Sequence, residues 1–390
     1  MQYRIDKKTN NKLSILGFGC MRFPNDFNKT EELILHAIEN GINYFDTAYI
    51  YGDSEKVLGK ILKKNNLRDK VYIATKLPLF YVRKESDFDK YFDIQLKNLQ
   101  TDYIDYYLMH MITDMDQWKW LCKLGIMDWI DKKKKEGKIK HIGFSFHGPQ
   151  NEFLDIIDAY PWEFCLIQYN YLNENYQAGK KGMEKAYEKG ITVKIMEPLL
   201  GGKLAVNIPN KVRETFNKAD KNKTPVEWAL KWLWNQKEPT VVLSGMSNMK
   251  ELQENIKIAS SSHVDMLSNK EINTIKKVVN IFNEASKINC TGCNYCMPCP
   301  KEVNIPAAFI SYNTYYSIGK IKGLKDYMMS TSVTSGKKVS ITNCNGCGIC
   351  EEKCPQEIEI IKELKRVEKK IEPFWIKFIF RMTRFYTKKR

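Results

Sequence analysis

Only three cysteines, Cys20, Cys122 and Cys165, precede residue 290 in this 390-residue chain, so no disulfide framework organises that long stretch. Their apolar or mixed surroundings mark them as packing thiols. No apolar run reaches about eighteen residues, which excludes a spanning helix, and the opening "MQYRIDKKTNNKLS" lacks the apolar segment of a secretory signal. The expected location is therefore cytoplasmic. There is no low-complexity tract, no flavin fingerprint, and no G-x-G-x-x-G after the first predicted strand. Acidic residues are outnumbered 46 to 62 by Lys and Arg, for a net charge of +16. The lysines are spread, as in "DKKKKEGKIKH" (131–141), without aromatic interleaving, so a solvated surface is expected and nucleic acid is not.

What is present begins with alternation. Eight short β-rich runs, at 15–20, 43–48, 71–76, 104–110, 141–146, 164–170, 192–198 and 240–246, leave room for a helix between most pairs. That pattern predicts an α/β fold, a parallel sheet closed into a (β/α)8 TIM barrel, with a doubly wound open sheet as the alternative. Thr30 before "EELILHAIENG" and Pro225 in "TPVEWALKWLWNQ" mark helix starts. Helices at 248–258 and 268–286 close a first domain, 1–286. A second is expected over 287–365, helical between its cysteine motifs at 303–329 with a loop at 330–340. Residues 366–390 follow as a basic amphipathic helix.

Polar residues at strand ends carry the chemistry of such a barrel. Asp46 lies late in the second strand with Tyr51 just beyond it, Lys76 ends the third and His110 the fourth. Singly, each has a plain structural role. Together they suit carbonyl reduction: the developing alkoxide needs a proton, a lysine cation eases its release from tyrosine, a carboxylate holds the lysine, and histidine orients the oxygen.

"GINYFDTAYIYGDSEKVLG" (41–59), "YIATK" (72–76) and "DYYLMH" (105–110) resemble the aldo/keto reductase family, and the likeness runs through about the first 285 residues, in "IKHIGFSFHG" (139–148), "IQYNYLN" (167–173), "EPLLGGKL" (197–204) and "VVLSGMSNMKELQENI" (241–256). The resemblance implies Tyr51 as general acid with Asp46, Lys76 and His110 as its partners, a small carbonyl or alcohol substrate, and NADP(H) or NAD(H). It implies that Ser145 and Gln168 meet the nicotinamide carboxamide, that Met196 stands at the stacking position, and that Gly245, Ser247, Glu254 and Asn255 hold the adenosine half. The chain departs from the pattern at Phe146, at Met196-Glu197, and at Gly245 and Glu251, where the usual basic residues for a 2′-phosphate are missing.

Two cysteine runs follow: Cys290, Cys293, Cys296 and Cys299 before Pro300, and Cys344, Cys347, Cys350 and Cys354 before Pro355. The second matches the bacterial ferredoxin run, whose fourth cysteine serves the other cluster. Zinc prefers separated pairs. By that exchange Cys290, Cys293, Cys296 and Cys354 hold one 4Fe–4S cluster, and Cys344, Cys347, Cys350 and Cys299 the other. The whole chain thus resembles an aldo/keto reductase subgroup with a small, mainly helical C-terminal ferredoxin-like domain.

Nicotinamide moves two electrons and a cluster one, so direct exchange needs a converter. Three readings remain open: the clusters are structural or sensory; a flavin, for which no motif is visible, or a ferredoxin or flavoprotein partner couples them to the barrel; or the barrel is a scaffold. The tail "EPFWIKFIFRMTRFYTKKR" (372–390) has an apolar stripe that packs on the protein itself or, as the lesser reading, touches a membrane surface.

Overall fold

The computed structural model describes residues 1–372 except 148–149, 176, 207, 291, 293–294, 318 and 329–339. Its strands are β1 (Tyr3–Ile5), β2 (Lys12–Ser14), β3 (Leu16–Gly19), β4 (Tyr44–Asp46), β5 (Tyr72–Leu77), β6 (Ile104–Ile112), β7 (Ile139–Phe146), β8 (Phe164–Gln168), β9 (Thr192–Met196) and β10 (Pro239–Ser244). The strands β3 to β10 close into a parallel barrel, with β10 beside β3, which settles the choice against an open sheet. Side chains alternate across the barrel wall. Leu13, Tyr44, Ala74, Tyr106, Leu108, Phe164, Leu166, Val241 and Leu243 form a core of their own. The intervening Phe45, Ile73, Tyr107, Met109, Cys165, Ile167 and Val242 belong to a second, larger one that includes residues of the helices. Because both faces are covered, the strands read as near-continuous apolar runs rather than alternating ones.

Two features depart from the sequence reading. The antiparallel hairpin β1–β2 had no strong signature in its short polar strands; its turn is fastened by Asp6, whose carboxylate accepts from the Lys8 and Thr9 amides, the Thr192 hydroxyl at 2.6 Å and the Tyr106 hydroxyl at 3.1 Å. The first helix is Phe27–Glu39, capped by Asp26, whose carboxylate accepts from the Asn28 and Lys29 amides. Thr30, expected as the cap, is buried within the first turn and donates its hydroxyl to the Asp26 carbonyl. The helix Pro225–Trp234 begins at the proline, as read.

Gly59 lies in the helix Ser54–Lys64, where an added Cβ would stand 2.5 Å from the Asn98 carbonyl oxygen and the Leu99 backbone. Backbone cannot swing aside as a side chain can. Gly59→Ala is expected to cost about 2 kcal/mol or more, read as a lowered midpoint in urea unfolding.

The chain divides into two compact units. One comprises Met1–Leu199 with Val226–Ile272, and holds all of the barrel strands. The other takes Leu200–Pro225, which follows β9, together with the residues from Asn273 onward. In that second unit Ile288, Val303, Phe309, Tyr312, Tyr327, Ile341, Leu364, Val367 and Ile371 form a core with six cysteines packed against it. The Asn313 side chain bonds both the N–H and C=O of Ile288, fixing the chain where it enters the first cysteine motif. The helix Ile360–Ile371 runs unbroken across position 366. The tail at 373–390 and the loop at 330–339 lie outside the described residues. Among the described residues, no helix is long and apolar enough to cross a membrane.

Candidate active site and cysteine centre

Asp46, Lys76 and His110 end adjacent strands, and each is at least 95% buried. Lys76 Nζ donates to Asp46 Oδ1 at 2.6 Å and to the Thr47 carbonyl at 2.7 Å. Tyr51 is brought over this pair by a tight turn, with its N–H on the Ala48 carbonyl and Gly52 at φ +62° just after it. The Lys76 ammonium lies 5.0 Å from the Tyr51 ring centroid, and the Tyr51 and His110 rings meet edge to face at 6.1 Å. The structure therefore gathers all four residues in one mouth.

Charge is confined here. Burial raises the Asp46 carboxyl's pKa, and the Lys76 cation opposes that rise. Burial also holds His110 well below its ordinary value, with Lys76 and His147 adding to the effect, so its imidazole is neutral at physiological pH. His110 is aimed by an irregularity: Met111 adopts φ +60°, the β6–β7 register shifts between Met109 and Ile112, and the Met111 N–H donates to Ser145 Oγ at 2.8 Å. A bulge beside a site re-aims side chains in this way.

Two groups that the sequence reading did not single out support the pair. Glu55, 2% exposed, accepts from Thr75 Oγ1 at 2.6 Å and Gln95 Nε2 at 2.8 Å, while Gln95 also donates to the Lys76 carbonyl. This locks the backbone of β5. Beneath Asp46, the fully buried Lys194 donates to the Tyr44 hydroxyl at 3.0 Å and sits 3.1 Å from the Tyr106 ring centroid. Glu55 stood unassigned inside a quoted motif, and Lys194 had no signal beyond a lysine within an apolar strand.

The remaining residues of the expected nucleotide pocket vary. Gln168 is fully buried, and both ends of its amide lack partners among the described residues. Met196 is half-buried at the end of β9, level with Gln168. Glu197 has φ +55°, its carbonyl accepts from Asn170 Nδ2, and its Oε2 is buried without a partner among the described residues. Burial, opposed by Arg22, lifts its carboxyl to about 7. An added Cβ on Gly245 would lie 3.9 Å from Arg22 Cδ. Ser247 donates its N–H and hydroxyl to Glu251 Oε2 at 2.8 and 3.1 Å, beside the Asn248 cap of the helix Met249–Ser260. Asn255 spends its amide on Ser244 Oγ, and Glu254 is half-buried on the same helix. Phe146 is fully buried and packs on Phe153. Of the early thiols, Cys20 and Cys165 are buried, and burial pushes Cys165 up to about 12, as suits packing.

In the second unit the cysteines surround two cavities. Cys299, Cys344, Cys347 and Cys350, with Cys296, line one; Cys290, Cys296 and Cys354 line the other. Cys293 lies outside the described residues. Gly346 and Gly348, at φ +74° and +80°, let the loop fold around Cys347. Burial pushes the Cys350 thiol up to about 11, with Cys344 and Cys299 adding to it, so these sulfurs stand close together.

The aldo/keto reductase family model matches residues 15–280, and the chain belongs to that family. A 4Fe-4S dicluster domain matches 289–359, which places the chain in the subgroup that joins the reductase to an iron–sulfur domain. It is 29% identical over 290 residues to the probable aldo-keto reductase 1 of Glycine max, covering 63% of this chain and 80% of that one. With the L-galactose dehydrogenase of Arabidopsis thaliana it shares 28% over 280 residues, covering 63% and 84%. The holo form of an aldo-keto reductase from Bacillus halodurans superposes with a TM-score of 0.60 over 71% of this chain and 96% of that one, at 23% identity. The protein is an oxidoreductase with an iron–sulfur domain.

Proposed function

We propose that the barrel reduces aldehydes or ketones, or oxidises the matching alcohols, with NAD(P)H, and that the second unit carries two 4Fe–4S clusters. The observation that carries the first part is the buried Lys76–Asp46 pair with Tyr51 over it and neutral His110 beside it. A bound nicotinamide supplies the hydride. Tyr51 gives its proton to the substrate oxygen, and the Lys76 ammonium stabilises the phenolate left behind. Asp46 fixes that ammonium, and His110 orients the carbonyl oxygen by hydrogen bonding. Gln168 fits a nicotinamide carboxamide, since a fully buried amide without partners is costly unless a ligand completes it. The two cavities support the exchanged ligand pairing of the cysteines. The clusters, when bound, pass single electrons, to or from a protein partner such as a ferredoxin or flavoprotein.

Gln168→Leu tests the nucleotide pocket. NADH and NADPH affinity, followed by fluorescence titration, is expected to fall about 5- to 150-fold, while stability holds or rises because an unsatisfied buried amide is gone. Undiminished affinity for both nucleotides would sink this role.

A further inference from the structure

The helix Ile360–Ile371 presents two chemically opposite faces. Ile360, Leu364, Val367 and Ile371 are buried in the core of the second unit. Its exposed residues are all basic: Lys362, Lys365, Arg366, Lys369 and Lys370. Lys362 pairs with Glu359, and Arg366 with Glu363 at 3.4 Å; among the described residues no carboxylate pairs with Lys365, Lys369 or Lys370. An open groove runs along this face, lined by Lys362, Lys365, Arg366, Lys369 and Ile361 together with two carboxylates, Glu351 and the Glu359 that pairs with Lys362.

Ile361 also lines the cavity of Cys299, Cys344, Cys347 and Cys350, so a single side chain is shared by the groove and the cysteine centre. Its N–H donates to Glu351 Oε1 at 2.8 Å, fastening the helix start to the second motif. Among the described cysteines of the two motifs, Cys347 is the exposed one, flanked by exposed Asn345 and Gly346 and by Ile349 at 38% exposure. Electron transfer demands close approach. Cys347 is thus the described cysteine most open to an outside donor, and the groove that shares Ile361 with its cavity carries four cations, Lys362, Lys365, Arg366 and Lys369, against the two carboxylates.

We propose that this face docks an acidic one-electron carrier protein, which exchanges electrons with the cluster at Cys347. The step is one electron from the reduced carrier to the oxidised cluster, or the reverse, with no bond made or broken and no proton moved. Opposite charge orients and speeds such encounters. An anionic membrane would also attract the lysines, but an interfacial helix needs apolar side chains to insert, and the exposed residues of the helix Ile360–Ile371 are Lys and Arg alone. The proposal rests on the reading that the second motif holds a 4Fe–4S cluster.

The test uses the anaerobic holoprotein and an acidic plant-type 2Fe–2S ferredoxin, in whichever direction the potentials allow, followed by stopped-flow absorbance and freeze-quench EPR. The wild type is expected to exchange electrons faster at low ionic strength than at high. Lys362→Glu with Lys365→Glu and Lys369→Glu is expected to slow exchange at least about tenfold at low salt and to flatten or invert the salt dependence. Iron content, EPR spectrum and photoreduction by a small neutral deazaflavin should remain unchanged. A triple variant as fast as wild type overturns the docking face, as does a basic cytochrome that reacts equally well. Loss of binding to anionic phospholipid vesicles with ferredoxin exchange intact would assign the face to a membrane and overturn it too. Absence of the cluster at Cys347 fails the cluster reading itself, and is distinguishable because the wild type would then hold about four irons per chain rather than about eight before any carrier is added.

Discussion

Tyr51→Phe is expected to lower NAD(P)H-dependent carbonyl reduction by ~10²–10⁴-fold, the usual worth of a positioned proton donor. The substitution removes one oxygen from a half-buried ring whose packing partners, the Lys76 ammonium at 5.0 Å and the His110 ring at 6.1 Å, remain. Nucleotide affinity and iron content should therefore stay at wild-type levels, so the loss falls on turnover. The pH profile sharpens the assignment. Because His110 is held well below its ordinary value, chiefly by burial, it should contribute no acid limb at neutral pH. A variant that turns over unchanged would show that Tyr51 is not the donor. A wild-type rate that falls as pH rises through the neutral range, a limb abolished by His110→Asn, would place the donated proton on His110 instead.

Cys354→Ser is expected to remove the cluster shared with the first cysteine motif and to leave the other in place, although Cys354 lies in the second motif. The reason is spatial: Cys354 lines a cavity with Cys290 and Cys296, whereas Cys299 lines one with Cys344, Cys347 and Cys350. A cubane with three thiolates and no fourth is labile, so iron should drop from about eight to about four per chain. Cys299→Ser should lose the complementary four. Combining Cys354→Ser with Cys290→Ser should cost no more iron than either alone, while Cys354→Ser with Cys344→Ser should leave almost none. The opposite pattern, with losses grouped by motif, would mean that each run holds its own cluster. In the second unit Lys203, in the segment that follows β9, lies within electrostatic reach of Cys290, which opposes the fall that burial imposes on its ammonium's pKa.

Much of this was open to reading along the chain. Eight apolar runs separated by helical stretches announced the parallel barrel, because a strand covered on both faces must be apolar throughout. The regular cysteine spacing with its trailing prolines announced the iron–sulfur domain, since a cluster constrains its ligands locally. Where local chemistry is degenerate, sequence could not decide. Asp26 and Thr30 are both capping residues one turn apart, and only the packing that buries Thr30 made Asp26 the cap. The three-residue strands β1 and β2 are too short to show a period, and their pairing depends on Asp6 finding Tyr106 and Thr192 far along the chain.

The amino-acid sequence by itself determined the barrel, a set of polar residue types at or just beyond strand ends, and two cysteine motifs, because each is written in a period or a fixed spacing. The tertiary structure alone decided the rest. Burial made His110 neutral, brought Glu55 behind Lys76 and Lys194 beneath Asp46, and left Gln168 without partners among the described residues, while folding set four exposed cations in a groove that shares Ile361 with the cavity of Cys347. Those are properties of distance and desolvation between residues remote in the chain. No one-dimensional pattern records which buried charge faces which.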